Sequence, residues 1–280
     1  MELFRVIRRD ARCALRFCGG RASACVLIIF LAYLAISLTE SILLFVFAGM
    51  ESLYLDYAAL SKISPEVLYI SGGSAAVYIF VISALAFGHT KLHFAFAEGK
   101  DENITVLFDG FSSLKRLFGC IFFYLGYGIR AVVSLAVAAI PGTAIFYAAW
   151  KFIPESGRTI EILRIAVCCI AVAVVILCLS LALIFIQRWA LAEYYYVNGS
   201  GIIKSFSLSA KAAKGLCTTI IKFKLSFFGW ALVSLFILPL LWSVPYYSVA
   251  KAIFAKYLME RYERSLAEVP GESEEDFTPA

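Results

Sequence analysis

Charge is scarce in this 280-residue chain. Only 16% of its residues are Asp, Glu, Lys or Arg, against about 25% in an average soluble domain. Histidine is scarcer still: His89 and His93 are the only two. There is no C-x-x-C pair, no G-x-S-x-G, no P-loop and no glycine-rich dinucleotide turn, so the common metal, hydrolase and nucleotide signatures are missing. An intramembrane protease needs a serine with a histidine, or paired aspartates, within its spans, and the apolar runs offer neither. The HTKLH segment puts two imidazoles at i, i+4, a spacing that can place two nitrogens on one metal. It lacks the glutamate of H-E-x-x-H, and Glu98 is the nearest acid, so the pair reads as interfacial histidines. Catalytic residues, metal and cofactor are all expected to be absent.

Strict period-2 alternation is missing too, which excludes the lipid-facing strands of a β-barrel. The net charge of +5 is spread over the ends of apolar runs instead of clustered, so nucleic acid is not an expected partner. The eight cysteines lie mostly inside or beside apolar runs, where a free thiol behaves as a small hydrophobe.

What the chain has in excess is apolar length. Hydrophobic residues make up 62% of it, and the mean hydropathy is +0.86. A bilayer crossing takes about 20 apolar residues, and six runs approach or exceed that: 25–48, 67–88, 118–150, 165–186, 217–236 and 239–258. The third is too long for one perpendicular crossing. The first is too long for the apolar core of a signal peptide and is expected to remain as a membrane helix. An Arg-rich, acid-poor start also suits a mitochondrial presequence, the competing reading. The expected fold is all-α: a polytopic bundle of about six crossings with short amphipathic interfacial helices. A basic segment 1–22 precedes a single membrane domain 23–260. An acidic tail 261–280, rich in Glu and Pro, is expected to be disordered.

Basic residues set the orientation. Arg5 to Arg21, then Lys91 to Arg116, Arg188 to Lys224 and Lys251 to Arg264 fall on one side of six crossings, which is twenty of the 25 Lys and Arg. The other side keeps Lys62, Lys151, Arg158 and Arg164. The positive-inside rule then places both termini in the cytoplasm. Five crossings are the alternative, with the chain from Pro245 onward exported. The weak point of the six-crossing reading is the short apolar Leu238–Pro239 turn.

A coarse repeat accompanies the runs. Leu3, Phe4, Ile7, Ala11, Ala14 and Cys18 share one helical face opposite arginines. Ile104, Leu107, Phe108, Phe111 and Leu114 repeat with helical spacing, as do Ile202, Phe206, Ala210 and Ala213, with Gly215 as a stop. Each would be a surface helix lying in the headgroup plane with its basic side toward anionic lipid. The simpler reading is that loops near membranes are often amphipathic.

The C-terminal half carries a more specific pattern. Arg188-Trp189 leads into Ala192-Glu193-Tyr194-Tyr195-Tyr196-Val197, followed by SFSLSAKAAKG over 205–215. Leu225-Ser226-Phe227-Phe228-Gly229-Trp230 comes next, and then Trp242, Pro245-Tyr246 and Ala252. This succession, over about 188–257, resembles an uncharacterised bacterial family of multi-pass membrane proteins, domain of unknown function 975. Before it the likeness is limited to Leu107-Phe108-Asp109-Gly110-Phe111, and Trp189 stands where the family often has tyrosine. The resemblance implies a bacterial plasma membrane location and brings no activity, ligand or catalytic residue.

Ionisable residues inside lipid are the best candidates for function, because each costs several kcal/mol unless paired or wet. Glu40 lies well inside the first run and Arg130 near the middle of the third stretch. At about 1.5 Å per residue they reach similar depths and form a candidate polar pair, unless the third crossing starts at Ala131 and Arg130 is a flank. Arg188, Glu193, Trp230, Trp242 and Tyr246 read as interfacial anchors. The expected role is non-enzymatic: a scaffold or accessory protein in assembly, export or envelope maintenance. Its expected partners are anionic lipid headgroups, with other membrane proteins or further copies of itself beside them. The rival is a transporter or channel for a small solute or lipid, with Glu40, Arg130, Pro141-Gly142 and Pro239/Pro245 as pathway and hinges.

Overall fold

The computed structural model describes residues 2–48, 65–152, 158–234 and 237–268, and every regular element in them is helical. Four long helices dominate: α1 (Glu2–Ala48), α2 (Pro65–Ala97), α3 (Leu114–Phe152) and α4 (Arg158–Ile186). Segments within these elements are long and apolar enough to cross a membrane. Five further helices follow: α5 (Ala192–Val197), α6 (Ile202–Ala212), α7 (Cys217–Leu225), α8 (Phe228–Val233) and α9 (Ile237–Ala267). A 3-10 helix, Ile104–Phe111, connects α2 to α3.

Among the described residues there are thus four helices of crossing length and composition where six were expected. Run 217–236 divides into α7 and α8, which are joined through a break at Ser226-Phe227. Run 239–258 is helical within α9, but α9 starts beside α1 at a shallow position. Ser23 Oγ, near the start of the apolar run of α1, donates a 2.9 Å hydrogen bond to the carbonyl of Leu241. From there α9 follows α1 back toward the N-terminus, so that Phe254 meets Phe4 edge-on. A sixth crossing would put Leu241 at the far end of α1. Lys251 and Lys256 make the rest of α9 costly to place in lipid.

The N-terminal segment is not a separate interfacial helix. Its 47-residue helix runs unbroken from the arginine-rich start through the apolar run. At about 1.5 Å per residue, α1 is about 70 Å long, more than twice the hydrocarbon thickness. The expected apolar stripe is real, but protein covers it instead of headgroups. Ile7, Ala11, Cys18, Ala22 and Cys25 are buried in one cluster with Val249, Ala252, Leu258 and Phe223. Burying that stripe against α9 removes the apolar area that would otherwise drive interfacial binding.

The other two expected surface helices also face protein. Leu107 and Gly110 of the 3-10 helix are buried while Phe108 and Phe111 stay exposed. In α6 the covered face is Ser205, Phe206, Ser209 and Ala212. Gly215, at φ +76°, follows as the expected stop. The C-terminal tail starts later than expected, because residues 261–267 continue α9. Its remainder from 269, like Lys62, lies outside the described residues.

Two close approaches lock the elements. Gly88 of α2 sits directly under the Leu107 backbone, and a Cβ there would overlap the carbonyl of Leu107. At Gly110 a Cβ would come within 2.5 Å of the Ala84 carbonyl oxygen. The 3-10 helix therefore crosses α2 at backbone distance, held also by the Lys91–Asp109 ion pair. In the α3–α4 hairpin, Gly142 plays a similar part against Ala171 and Val175.

Gly88→Ala should therefore lower the thermal stability of the detergent-purified protein by about 1–3 kcal/mol, the usual cost of forcing an atom into packed structure. Gly72→Ala, in the same helix with nothing within 4 Å of the added atom, should be neutral or stabilising through helix propensity. Equal melting shifts for the two would refute the backbone crossing.

Candidate functional site

The polar groups that this fold buries collect where α2, α5, α7 and α9 meet. Lys251 of α9 pairs with Glu193 of α5 through a direct Nζ–Oε1 hydrogen bond. Glu193 opens α5, just after α4 ends and the 3-10 turn Gln187–Trp189 redirects the chain. That turn is fastened from α6. Ser209 Oγ donates to the Arg188 carbonyl at 2.8 Å and accepts from the Leu191 amide at 3.1 Å, satisfying backbone groups that the helix break frees. Thr90 of α2 reaches the second carboxylate oxygen of Glu193 at 3.5 Å. Lys224 of α7 donates to Gln187 Oε1 at 2.7 Å.

Burial by itself would depress the Lys251 ammonium. The Glu193 carboxylate, joined by the Tyr194 phenol, outweighs it and holds the lysine charged well above its ordinary range. Lys224 forms no ion pair among the described residues: burial, and then repulsion from Lys251, bring it down to about 8 against a smaller pull from Glu193. The cluster is thus a compensated charge pair with a second, weakened cation beside it.

A second polar group adjoins the first through Ser248. Its Oγ lies 3.4 Å from His89 Nε2, and the His89 and His93 rings are 4.2 Å apart between centroids. One ring nitrogen of each histidine and the Cys25 sulfur all lie within 4.8 Å of one another. These are the residues that could hold a metal. The sequence places the histidines at i, i+4, but Cys25 belongs to a different helix.

On the surface of the molecule a cleft of about 580 Å³ opens between the N-terminal part of α1 and the α8–α9 hairpin. Its lining includes Arg12, Arg16, Phe17, Trp230, Trp242 and Tyr246. Phe17 and Trp242 are largely exposed, and both arginines face outward.

The expected site residues separate. Glu40 and Arg130 are not brought together. The Arg130 guanidinium lies 4.0 Å over the Phe206 ring and donates to the Gly126 carbonyl at 3.0 Å. Glu40 has no ion-pair partner among the described residues. Their similar depth along α1 and α3 held no information about azimuth or helix tilt. Arg188 stacks its guanidinium over Phe185 at 5.0 Å. Glu193 is drawn into the interior by Lys251 instead of standing at a lipid surface. Trp230 and Trp242 are exposed, whereas Tyr246 is buried between Phe227 and Trp230. Lys251 and Cys25 escaped the sequence reading. A lysine set in the last apolar run, with a lone glutamate after the fourth, was the available signal for the first. For Cys25 it was the continuation of the Ile7–Ala11–Cys18–Ala22 stripe.

The model of the family described as "Protein of unknown function (DUF975)" matches residues 5–262. The chain belongs to that family. The match takes in the four long helices and the base, the packed region where the N-terminal half of α1 and the C-terminal half of α2 meet α5, α6, α7 and α9, far more than the 188–257 stretch whose motifs carry the likeness. No curated protein and no solved structure matches the chain.

Breaking the Glu193–Lys251 pair should be costly. Both side chains keep a quarter or so of their surface exposed, so the loss should lie between that of a surface pair and a fully buried one, about 2–3 kcal/mol. Glu193→Gln and Lys251→Met should each lower the melting temperature, and the double variant should recover much of the loss. Additive losses would show that the two charges do not depend on each other.

Proposed function

We propose that this DUF975 protein is a non-enzymatic accessory protein of the bacterial plasma membrane, with both termini cytoplasmic, that engages anionic lipid headgroups at its cytoplasmic end. The observation that carries the reading is the cleft between α1 and the α8–α9 hairpin. Arg12 and Arg16 supply positive charge, Trp230 and Trp242 supply amphipathic rings and Phe17 an apolar one, the pairing that suits the headgroup level of a bilayer. The orientation rests on charge. With four crossings, the twenty basic residues assigned to one side still share it, and that side is where the start of α1 meets α9 at Phe4 and Phe254. Against the transporter reading stands the position of Arg130, which lies over Phe206 and not beside Glu40. The buried charges instead sit in a packed, hydrogen-bonded base, an arrangement suited to holding helices in place.

The test is lipid selectivity. Detergent-purified protein titrated with phosphatidylglycerol should retain it in preference to phosphatidylcholine, and added salt should weaken the preference. At about 1 kcal/mol per basic residue near the surface, Arg12→Gln with Arg16→Gln should reduce binding of the anionic lipid about 30-fold. Equal retention of the two lipids by the wild-type protein would contradict the proposal.

A further inference from the structure

We propose that Cys25, His89 and His93 form a binding site for a zinc-class transition-metal ion, with one sulfur and two nitrogen ligands, which ties α1 to α2. The donor set argues for this class of ion: one thiolate and two imidazoles suit zinc, cobalt or copper, while magnesium and calcium take oxygen ligands. The three donor atoms lie within 4.8 Å of one another. Ligands on a tetrahedral zinc sit about 2.0–2.3 Å from the metal, so small side-chain rotations close the site.

The tautomers fit as well. His93 Nδ1 lies 2.8 Å from the carbonyl of His89, one turn earlier, and donates to it. That leaves Nε2 as a bare lone pair, and Nε2 is buried without any hydrogen-bond partner in a side chain only 1% exposed. Leaving such an acceptor unsatisfied is destabilising. A metal ion would satisfy it, and a ring N–H bonded to a backbone carbonyl is the usual support of a metal-ligating histidine. His89 is served in the same way by Ser248: when that hydroxyl accepts from Nε2–H, Nδ1 is the bare nitrogen. Cys25 is itself fully buried. Packing accounts for a buried thiol, but not for a buried histidine nitrogen left with nothing to bind in the same three-residue cluster. The inference is independent of the lipid proposal, since none of the three residues lines the cleft.

The experiment is a cobalt titration of the full-length, detergent-purified protein after chelator treatment. The expected result is saturation at one equivalent, with a thiolate-to-cobalt charge-transfer band in the near ultraviolet that zinc displaces. Cys25→Ser should abolish the band, His93→Gln should weaken cobalt affinity at least tenfold, and Cys18→Ser, another buried thiol on the same stripe, should leave both unchanged. X-ray absorption on the zinc-loaded wild-type protein reads the same site without any variant: one sulfur and two imidazole nitrogens around the metal. No thiolate band in the wild type, a band that survives Cys25→Ser, or a zinc shell without sulfur would each overturn the proposal.

Discussion

The N-terminal half of α1 lying along α9 is the contact on which the rest of the base depends. A helix about 70 Å long cannot be covered by one environment. Its C-terminal half is apolar around most of its circumference and suits lipid. Its N-terminal half carries arginines on one face and a narrow stripe of Ile7, Ala11, Cys18 and Ala22 on the other. In this fold the stripe is covered by protein, chiefly α9, while Arg12 and Arg16 on the opposite face stay outward. Once α9 takes that place, Phe4 reaches Phe223 and Phe254, and α7 is held against both. Arg8 then reaches the Ser226 carbonyl at 2.9 Å, at the break between α7 and α8. Arg21, at the upper end of the stripe, secures the chain after α2 through Asp101 and the Glu102 carbonyl.

The same geometry accounts for the polar interior. Helices that end or bend inside the base, α4 into α5 and α7 into α8, release backbone groups that must be satisfied. Ser209 and Arg8 satisfy several of them. Charges are admitted in compensated form, Glu193 with Lys251, and the histidines are placed where Ser248 and a backbone carbonyl fix their protons. Glycine is needed where backbones meet: at Gly88 and Gly110 the 3-10 helix lies so close to α2 that no side chain fits between them. The base is therefore dense and hydrogen-bonded, while the four long helices project from it with exposed leucines, isoleucines and valines.

Much of this was legible in the residues. The all-helical class followed from the apolar runs, and the helical faces of 3–18 and 202–213 appear close to where the spacing puts them. What the spacing could not say is what covers each face. An apolar stripe opposite arginines has the same pattern whether it meets lipid or α9, so the expected interfacial helices of 3–18 and 202–213 proved to be packed ones, while the 104–114 stretch buries Leu107 and leaves Phe108, Phe111 and Leu114 exposed. Hydropathy likewise counted 217–236 and 239–258 as crossings, because it reads neither the break that divides the first run into α7 and α8 nor the protein contacts that cover much of α9. The Ser226-Phe227 break and the lysines of α9 were the local signs that these runs differ from the first four. The Glu40–Arg130 pair failed for a related reason: depth along two helices can be counted, but the direction in which each side chain points depends on packing. Cys25 with His89 and His93, and Glu193 with Lys251, are long-range meetings that only the tertiary fold brings about.

The central claim is that α9 begins beside Ser23 and covers the base instead of starting at the far side of the membrane. Cysteine pairs in an otherwise cysteine-free background test it directly, using a short thiol cross-linker on native membranes. Ser23→Cys with Leu241→Cys should cross-link within one chain and shift its mobility, while Val46→Cys with Leu241→Cys should not. The two α1 positions are about 35 Å apart along the helix. Cross-linking at Val46 with none at Ser23 would show that run 239–258 crosses the bilayer, and would contradict the account.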